Sequence, residues 1–274
     1  MSNQTYVESH GFKLPIVGLG TWQLTGRECT RLVEQAIRLG YRHIDTAQMY
    51  GNEAAVGEGV RASGKRAEVV VTTKVQPERL APHDLERSVK ESLHKLRLDV
   101  IDLLLIHWPN PRVPLAETLG AMAKVKQEGY VRALGVSNFT VALLDEASKA
   151  TTEPLVCNQI ECHPFLDQSK VIAACRKHGM AVVAYSPIAR GGAQGDAVLE
   201  KIGLAHGKSA AQISLRYLVQ QGIVVIPRTS KMQRLEENLA LFDFALTEAE
   251  MAEIRALSQR KGRIVDWSWS PQWD

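Results

Sequence analysis

Apolar residues recur along the chain in two alternating patterns. Short, mostly apolar runs are typical of buried strands, and each is followed by a segment with apolar residues at helical spacing. The eight predicted strands cover residues 16–21, 41–45, 68–74, 100–107, 131–136, 155–160, 181–184 and 223–226. The predicted helices cover residues 29–39, 52–63, 84–98, 115–128, 140–150 and 167–178, followed by a pair within 196–221. This alternation predicts parallel strands joined by crossover helices.

Eight such units close naturally into a (β/α)8 TIM barrel, which is the predicted α/β fold. Residues 6–14 predict a β-hairpin with a His-Gly turn ahead of the barrel. Two extra helices, 231–240 and 247–257, follow the last strand, and a capping box at Thr247 opens the second. No linker or change of composition divides residues 1–274, so we expect one domain. An open, doubly wound sheet is the alternative architecture.

Polar side chains mark the carboxyl ends of several predicted strands. Asp45, Lys74 and His107 each close an apolar run, and Tyr50 follows Asp45 closely. Side chains alternate between the two faces of a strand, which places Asp45 on the face of His43. Parallel neighbours would bring three ionisable groups and a phenol together at one end of the barrel, where the active sites of this fold are built. This placement favours the barrel over the open sheet.

Charge and cysteine content narrow the possible classes of function. The 33 basic and 30 acidic residues are interspersed, which argues against a nucleic-acid-binding protein. No apolar run is long enough to span a bilayer, and the N-terminal residues lack the pattern of a secretion signal. The four cysteines are too few and too irregularly spaced for a disulfide scaffold. We therefore expect reduced thiols and a cytoplasmic location.

Three local patterns imitate other kinds of site. Residues 57–62 match the glycine pattern of a dinucleotide-binding turn, but they lie within a predicted helix with no strand leading into it. Residues 135–139 lack the second glycine of a nucleophile elbow, and Asn138 is better suited to capping a helix or binding a ligand. The pair of cysteines before His163 lacks a further ligand at zinc-site spacing, so we expect no metal site.

A set of short motifs runs from the first predicted strand to the segment after the last. They are GLGTW at 18–22, GYRHIDTA at 40–47, YGNE at 50–53, Lys74, LIHWP at 105–109, GVSNF at 135–139, NQIECHP at 158–164, YSP at 185–187 and IPR at 226–228. As a set they resemble the aldo-keto reductase family over nearly the whole chain. Short loops and the C-terminal sequence SPQWD are most similar to the bacterial 2,5-diketo-D-gluconate reductases, type B in particular. The resemblance implies a barrel enzyme that reduces aldehydes and ketones with NADPH.

Carbonyl reduction gives the polar cluster specific roles, and the resemblance implies the same ones. Tyr50 would donate the proton, Lys74 would supply the charge that makes a phenol a stronger acid, and Asp45 would pair with Lys74. His107 would hydrogen-bond the carbonyl oxygen. Each residue alone could be a cap, a solvated strand end or a packing residue, but together with the flanking motifs they indicate a catalytic site. The implied substrate-binding residues are Trp22, Tyr50, His107 and Trp108.

For the nicotinamide end of NADPH, the resemblance implies contacts at the ends of three strands. Ser137, Asn138 and Gln159 would hold the carboxamide, and Tyr185 would stack on the ring. The further implied cofactor contacts are Gly20, Thr21, Trp22, Asp45, Ser186, Pro187, Ile188, Pro227 and Ser230.

For the adenosine end, the resemblance implies that Arg228, Thr229 and Arg234 bind the 2′-phosphate. Many family members carry lysine and serine in place of Arg228 and Thr229, so this chain keeps the charge and the hydroxyl. Glu237 and Asn238 match the pair that contacts adenine. These matches favour NADPH over NADH.

Two loops are shorter than in several branches of the family. Residues 110–114 leave little room for a substrate loop, and residues 189–195 lack a long clasp over the cofactor. We expect an open pocket for small polar carbonyls, such as methylglyoxal or keto-sugar acids. The resemblance implies a monomeric protein. Trp267 and Trp269 of the tail either close this pocket or pack on the barrel exterior.

Two other functions fit the fold. A barrel that holds NADPH as a sensor or channel subunit has no need of a proton donor such as Tyr50. A phosphate-binding isomerase or lyase would suit the arginines near the last strand but leaves Tyr185 without a role. NADPH oxidation with a simple aldehyde separates the reductase from both alternatives.

Overall fold

The computed structural model describes residues 5–260 and 262–274. Its first two strands, which pair antiparallel, are β1 (Tyr6–Ser9) and β2 (Phe12–Pro15). The turn between them has φ of 48° at His10 and 78° at Gly11, the left-handed conformation that a tight two-residue hairpin turn requires. The predicted hairpin and its turn are confirmed.

Eight parallel strands follow, in sequential order around one sheet. They are β3 (Leu19–Gly20), β4 (His43–Asp45), β5 (Val70–Val75), β6 (Ile101–Ile106), β7 (Val131–Ser137), β8 (Leu155–Glu161), β9 (Ala181–Tyr185) and β10 (Val224–Val225). The helices are α1 (Gly26–Leu39), α2 (Glu53–Ala62), α3 (Pro82–Leu96), α4 (Leu115–Gln127), α5 (Val141–Ala150), α6 (Ser169–Lys177), α7 (Ala197–His206), α8 (Ala210–Val219), α9 (Met232–Leu239) and α10 (Glu248–Arg255). The predicted capping box at Thr247 opens α10. None of the helices in the described part of the chain has the length and apolar character needed to cross a membrane.

The sheet closes on itself through its two shortest strands. Gly18 N donates to Val225 O at 2.8 Å, and Val225 N donates to Ile16 O at 2.9 Å, so β3 and β10 run side by side in parallel. A Cβ at Gly20 would lie 2.7 Å from Ile226 O, so the closure requires glycine at this position. The first and last predicted strands, residues 16–21 and 223–226, are buried throughout, although only two residues of each keep regular strand geometry. The predicted (β/α)8 barrel is confirmed, and the open sheet is wrong.

Two apolar cores lie on opposite sides of the barrel wall. The larger, between strands and helices, includes Leu104 of β6, whereas its neighbours Leu103 and Leu105 belong to the core inside the barrel. This alternation is the pattern of a strand buried on both faces. His43 and Thr72 also share the interior, where His43 Nε2 lies 3.0 Å from Thr72 Oγ1. The face of β4 that was predicted to carry both His43 and Asp45 is therefore the interior face.

The glycine pattern at residues 57–62, which resembles a dinucleotide-binding turn, lies inside α2, as predicted. Its glycines allow close packing of helices. A Cβ at Gly57 would lie 2.0 Å from Leu96 O at the end of α3, and one at Gly59 would lie 2.6 Å from Thr30 O of α1. Close approach of two backbones, and not phosphate binding, accounts for both glycines.

Gly57→Ala is expected to lower the free energy of unfolding by about 3 kcal/mol, the upper range for overpacking, because a rigid backbone carbonyl blocks the new methyl group. The matched control is Gly120→Ala in α4, where a Cβ would meet nothing within 4 Å. That change should stabilise the protein by up to about 1 kcal/mol through helix propensity alone. Urea unfolding of both variants measures the difference, and equal midpoints would contradict the packing role of Gly57.

Candidate active site

Asp45 and Lys74 form a buried ion pair at the carboxyl ends of β4 and β5. Lys74 Nζ donates to Asp45 Oδ1 at 2.5 Å, to Thr46 O at 2.8 Å and to the Tyr50 hydroxyl at 3.3 Å. The other carboxylate oxygen, Asp45 Oδ2, accepts a hydrogen bond from Gln159 Nε2 across the barrel at 2.7 Å. The three ammonium protons and both carboxylate oxygens therefore have partners, as buried charges require.

A single 3₁₀ turn, Gln48–Tyr50, carries Tyr50 to the barrel mouth. Gln48 Nε2 donates to Ser92 Oγ of α3 at 3.1 Å and so ties the turn to the surrounding helices. The Tyr50 ring lies edge-on to the imidazole of His107, with 5.6 Å between ring centres. The loop after β4 thus aims the phenol between an ammonium group and an imidazole.

Opposing influences act on the proton of Tyr50. Burial raises the pKa of the phenol, and the charge of Lys74 lowers it without cancelling the effect of burial, so the pKa lies above its ordinary value of 10.0. For Lys74, burial acts to lower the pKa, but Asp45 and Tyr50 outweigh it and the pKa is raised. Lys74 therefore lowers the pKa of Tyr50, as predicted, but burial has the larger effect on this pKa. At neutral pH the site therefore holds an ammonium ion beside an undissociated phenol.

His107 follows β6 directly and is buried, and its Nδ1 has no hydrogen-bond partner among the described residues. Burial, reinforced by repulsion from the ammonium group of Lys74, holds the pKa of His107 well below 6.5. The imidazole is therefore neutral near pH 7, with one N–H group to donate.

A hydrogen-bonded network joins the ends of β7 and β9. Asn138 Nδ2 donates to His107 O at 3.0 Å and to Ser137 Oγ at 3.1 Å, while the Tyr185 hydroxyl donates to Asn138 Oδ1 at 2.8 Å. Asn138 has φ of 62°, a left-handed conformation that asparagine tolerates better than most residues. Thr140 caps α5, so Asn138 is not the helix cap. Of its two predicted roles, helix capping is therefore wrong, and ligand binding stays a prediction.

These groups line one open cleft of about 670 Å³ at the carboxyl ends of the strands. The predicted site residues in its lining are Gly20, Thr21, Trp22, Asp45, Tyr50, His107, Trp108, Ser137, Asn138, Gln159, Tyr185, Ser186, Pro187, Ile188, Arg228 and Arg234. The predicted residues outside the lining are Lys74, Pro227, Thr229, Ser230, Glu237 and Asn238. Lys74 nevertheless reaches the cleft through its contact with Tyr50.

The cleft also contains residues that were not among the predicted site residues. They are Gln23, Met49, Arg190, Gly191, Gln194, Ile226 and Val265. The guanidinium of Arg190 lies 4.6 Å from the ring centre of Trp22, and Arg190 has φ of 52°. Glycines signalled an irregular loop here, but local spacing carries no information about the direction of an exposed side chain.

The C-terminal tail forms part of the same cleft. Trp267 and Trp269 line it, each about half exposed, and their rings are stacked with centres 6.3 Å apart. Trp269 also packs edge-on against Trp108, at 5.1 Å between ring centres. Of the two predicted arrangements, the tail lies at the pocket, where its indoles form part of the wall.

Positive charge dominates the cleft. Arg190, Arg228 and Arg234 line it, whereas Asp45 is its only acidic residue in the described part of the chain and is already paired with Lys74. An anionic group entering the cleft would therefore meet unbalanced positive charge.

Two residues predicted to contact the adenosine end lie behind this lining. The hydroxyl of Thr229 is buried and accepts a hydrogen bond from Lys231 N at 3.0 Å. Asn238 of α9 is buried beside the phenol of Tyr41. Their contact with a cofactor stays a prediction.

Comparison with known proteins assigns the chain to a family. The sequence pattern of the Aldo/keto reductase family matches residues 16–259. The chain belongs to this family, as its motifs predicted, and is an oxidoreductase.

Both curated relatives and solved structures match over nearly the whole chain. It is 40% identical over 265 residues to methylglyoxal reductase DkgB of Escherichia coli O157:H7, covering 95% of this chain and 99% of that protein. It is 40% identical over 253 residues to glyoxal reductase of Bacillus subtilis (strain 168), covering 91% of each.

A crystal structure provisionally described as 2,5-diketo-D-gluconic acid reductase B matches with a TM-score of 0.97 and 46% identity, covering 99% of this chain and 98% of that one. The aldo-keto reductase of Bombyx mori, solved in complex with NADP, matches with a TM-score of 0.90 and 36% identity, covering 98% and 97%. The predicted similarity to the diketogluconate reductase branch is confirmed.

Proposed function

We propose that the protein reduces aldehydes and ketones to alcohols with NADPH as the hydride donor. The observation that carries this proposal is the contact of Lys74 Nζ with the Tyr50 hydroxyl, 3.3 Å apart at an open cleft. A buried ammonium ion beside an undissociated phenol is the arrangement expected of a general acid. A protein that only bound a cofactor would gain nothing from it.

Carbonyl reduction requires a hydride at carbon and a proton at oxygen, and NADPH supplies the hydride when bound. Tyr50 supplies the proton, and Lys74 stabilises the phenolate that remains. Asp45 holds Lys74 in place, because its carboxylate is itself fixed by Gln159. His107, as a neutral donor, stabilises the negative charge that develops on the carbonyl oxygen.

The donor set of the cleft fits NADPH. Ser137, Asn138 and Gln159 offer the hydroxyl and amide groups that would hold a carboxamide, and the ring of Tyr185 lines the same cleft. Arg228, together with the neighbouring Arg234, would meet the 2′-phosphate where no acidic residue competes among the described lining residues. The complex of the Bombyx mori relative with NADP supports this proposal.

The lowered pKa of His107 makes a prediction about pH. A base whose pKa lies well below 6.5 stays neutral as the pH falls through that value, so the donor group does not change. We expect kcat/KM to show no inflection near pH 6.5 in a profile from about pH 5.5 to about pH 8. An acidic limb with an apparent pKa near 6.5, lost in His107→Gln, would contradict this prediction.

Methylglyoxal and keto-sugar acids such as 2,5-diketo-D-gluconate are the proposed substrates. The printed names of the curated relatives and the openness of the cleft support small carbonyls. The four free cysteines are all buried, which suits a cytoplasmic location.

The decisive assay is the consumption of NADPH by the purified protein, followed by its ultraviolet absorbance, with each of the two substrates. We expect saturable turnover with at least one, and an alcohol product that mass spectrometry identifies. Tight binding of NADPH without turnover of these or any other aldehyde or ketone in a broad panel would overturn the proposed function.

A further inference from the structure

The last residue of β8, Glu161, binds the C-terminal tail. Glu161 is buried, and its Oε1 accepts a hydrogen bond from Ile264 N at 2.6 Å while Oε2 accepts one from Val265 N at 2.8 Å. His163 Nε2 lies 3.0 Å from Oε1 of the same carboxylate. Glu161 is absent from the described lining of the cleft. Its carboxylate therefore holds tail backbone and does not face a substrate.

The two amides that Glu161 holds are consecutive, so the carboxylate fixes both the position and the direction of the tail. Val265 is buried in the cleft wall, and Trp267 follows it in the same wall. A turn in which Ser270 N donates to Trp267 O at 2.9 Å then brings Trp269 beside Trp108. Glu161 therefore fixes the direction of the tail at Val265, and this direction leads Trp267 and Trp269 to the cleft wall.

The hydrogen bonds at the far end of the tail are exposed, although the ring of Trp273 also packs edge-on against Trp108, with 6.1 Å between ring centres. Asp274 Oδ2 accepts a hydrogen bond from Val141 N at the start of α5, and Trp273 Nε1 donates to Asp266 Oδ1, both in solvent. Water weakens such contacts, whereas the bonds to the buried carboxylate of Glu161 are charge-assisted and shielded. Gly262 N also donates to Phe165 O at 2.9 Å, just ahead of the two amides that Glu161 binds. Among the hydrogen bonds described for the tail after Gly262, those to Glu161 are thus the buried, charge-assisted ones nearest the cleft.

Building on the reductase function proposed above, we propose that Glu161 is a positioning residue that sets the size preference of the cleft. It does so by holding Trp267 and Trp269 as the outer wall. A small dicarbonyl can reach Tyr50 and His107 without this wall, whereas a substrate with an aromatic ring beyond its carbonyl packs against the two indoles. The intact tail therefore favours aryl-substituted aldehydes and ketones beyond the small substrates that the relatives' names suggest.

Glu161→Gln tests the proposal, because glutamine keeps the volume but its amide nitrogen cannot accept a hydrogen bond from the tail. We expect the KM for 4-nitrobenzaldehyde to rise about tenfold, as for loss of a hydrogen bond to a charged group. The KM for methylglyoxal, the kcat for both substrates and the Kd for NADPH should stay unchanged. Amide hydrogen exchange in the peptide containing Ile264 and Val265 should accelerate.

A matched control is Asp102→Asn near the start of β6, at the opposite end of the barrel. Asp102 is also a buried carboxylate that accepts a backbone hydrogen bond, from Val71 N at 2.9 Å. Its loss should lower the melting temperature without changing the ratio of the two KM values or the exchange of the tail peptide. Trp269→Ala, which alters a half-exposed side chain, should reproduce the KM effect with native exchange at Ile264.

The outcomes separate the two proposals. Unchanged tail exchange in Glu161→Gln, or faster exchange with an unchanged ratio of KM values, would overturn the positioning role. A native protein that reduces methylglyoxal but not 4-nitrobenzaldehyde would also overturn it while leaving the reductase function intact. Turnover of neither substrate would count against the reductase function, whereas the exchange measurement would still show whether Glu161 holds the tail.

Discussion

Tyr50→Phe is expected to lower kcat for carbonyl reduction at least about 100-fold, the low end for loss of a general acid. The Tyr50 hydroxyl accepts a hydrogen bond from Lys74 Nζ at 3.3 Å, a long contact, and Lys74 keeps Asp45 Oδ1 and Thr46 O as partners without it. Removing one hydroxyl should therefore leave the fold, and the Kd for NADPH, unchanged. Steady-state kinetics with methylglyoxal, NADPH titration by tryptophan fluorescence and a melting curve measure the three quantities.

Tyr217→Phe is the matched control. Tyr217 of α8 is buried in the core between strands and helices and does not line the cleft in the described part of the chain. Its loss of a hydroxyl should leave kcat at the native value. A Tyr50→Phe variant that retained kcat within about tenfold of native would show that another group donates the proton.

The catalytic cluster could be located from the sequence because strand geometry is regular. Asp45, Lys74 and His107 each end an apolar run, and parallel strands of a barrel bring such ends together whatever the details of the loops. The distances between them could not be predicted. Tyr50 reaches Lys74 from a 3₁₀ turn that is tied to α3 through Gln48, a contact between residues far apart in sequence.

The pKa of Tyr50 could be predicted only in part from the sequence. The presence of Lys74 indicates a pull that lowers the pKa of Tyr50, and the structure agrees with that direction. The net shift depends on how completely the surrounding atoms exclude water, which is a property of packing. Burial therefore raises the pKa above its ordinary value, an outcome that a list of neighbouring charges could not reveal.

The placement of the C-terminal tail could not be predicted from local sequence patterns. Its tryptophans suggested burial against something apolar, but two placements remained open because the deciding contact is remote. Glu161 accepts hydrogen bonds from Ile264 and Val265, residues more than one hundred positions along the chain. A carboxylate that binds backbone amides leaves no signal in the identity of the residues it holds. Arg190 was not predicted as a site residue because its contact, the ring of Trp22, is likewise remote in sequence.

Lys74→Met is expected to reduce both stability and activity. Asp45 would remain buried with Gln159 as its side-chain partner, and breaking a buried ion pair in this way costs about 3–5 kcal/mol of unfolding free energy. The kcat should fall at least about tenfold, because nothing would then oppose the effect of burial on the pKa of Tyr50. Urea unfolding and steady-state kinetics at neutral pH measure the two losses separately.

The double variant Lys74→Met/Asp45→Asn separates a structural role of Lys74 from a chemical one. Replacing both charges of a buried pair with neutral groups is often close to neutral for stability, so much of the lost unfolding free energy should return. The amide introduced by Asp45→Asn keeps an oxygen that can accept the hydrogen bond from Gln159 Nε2. The kcat should stay low, because the ammonium group that stabilises the phenolate of Tyr50 is still missing. Recovery of kcat together with stability would mean that Lys74 serves only to hold the barrel mouth together, and the proton donor would then act without it.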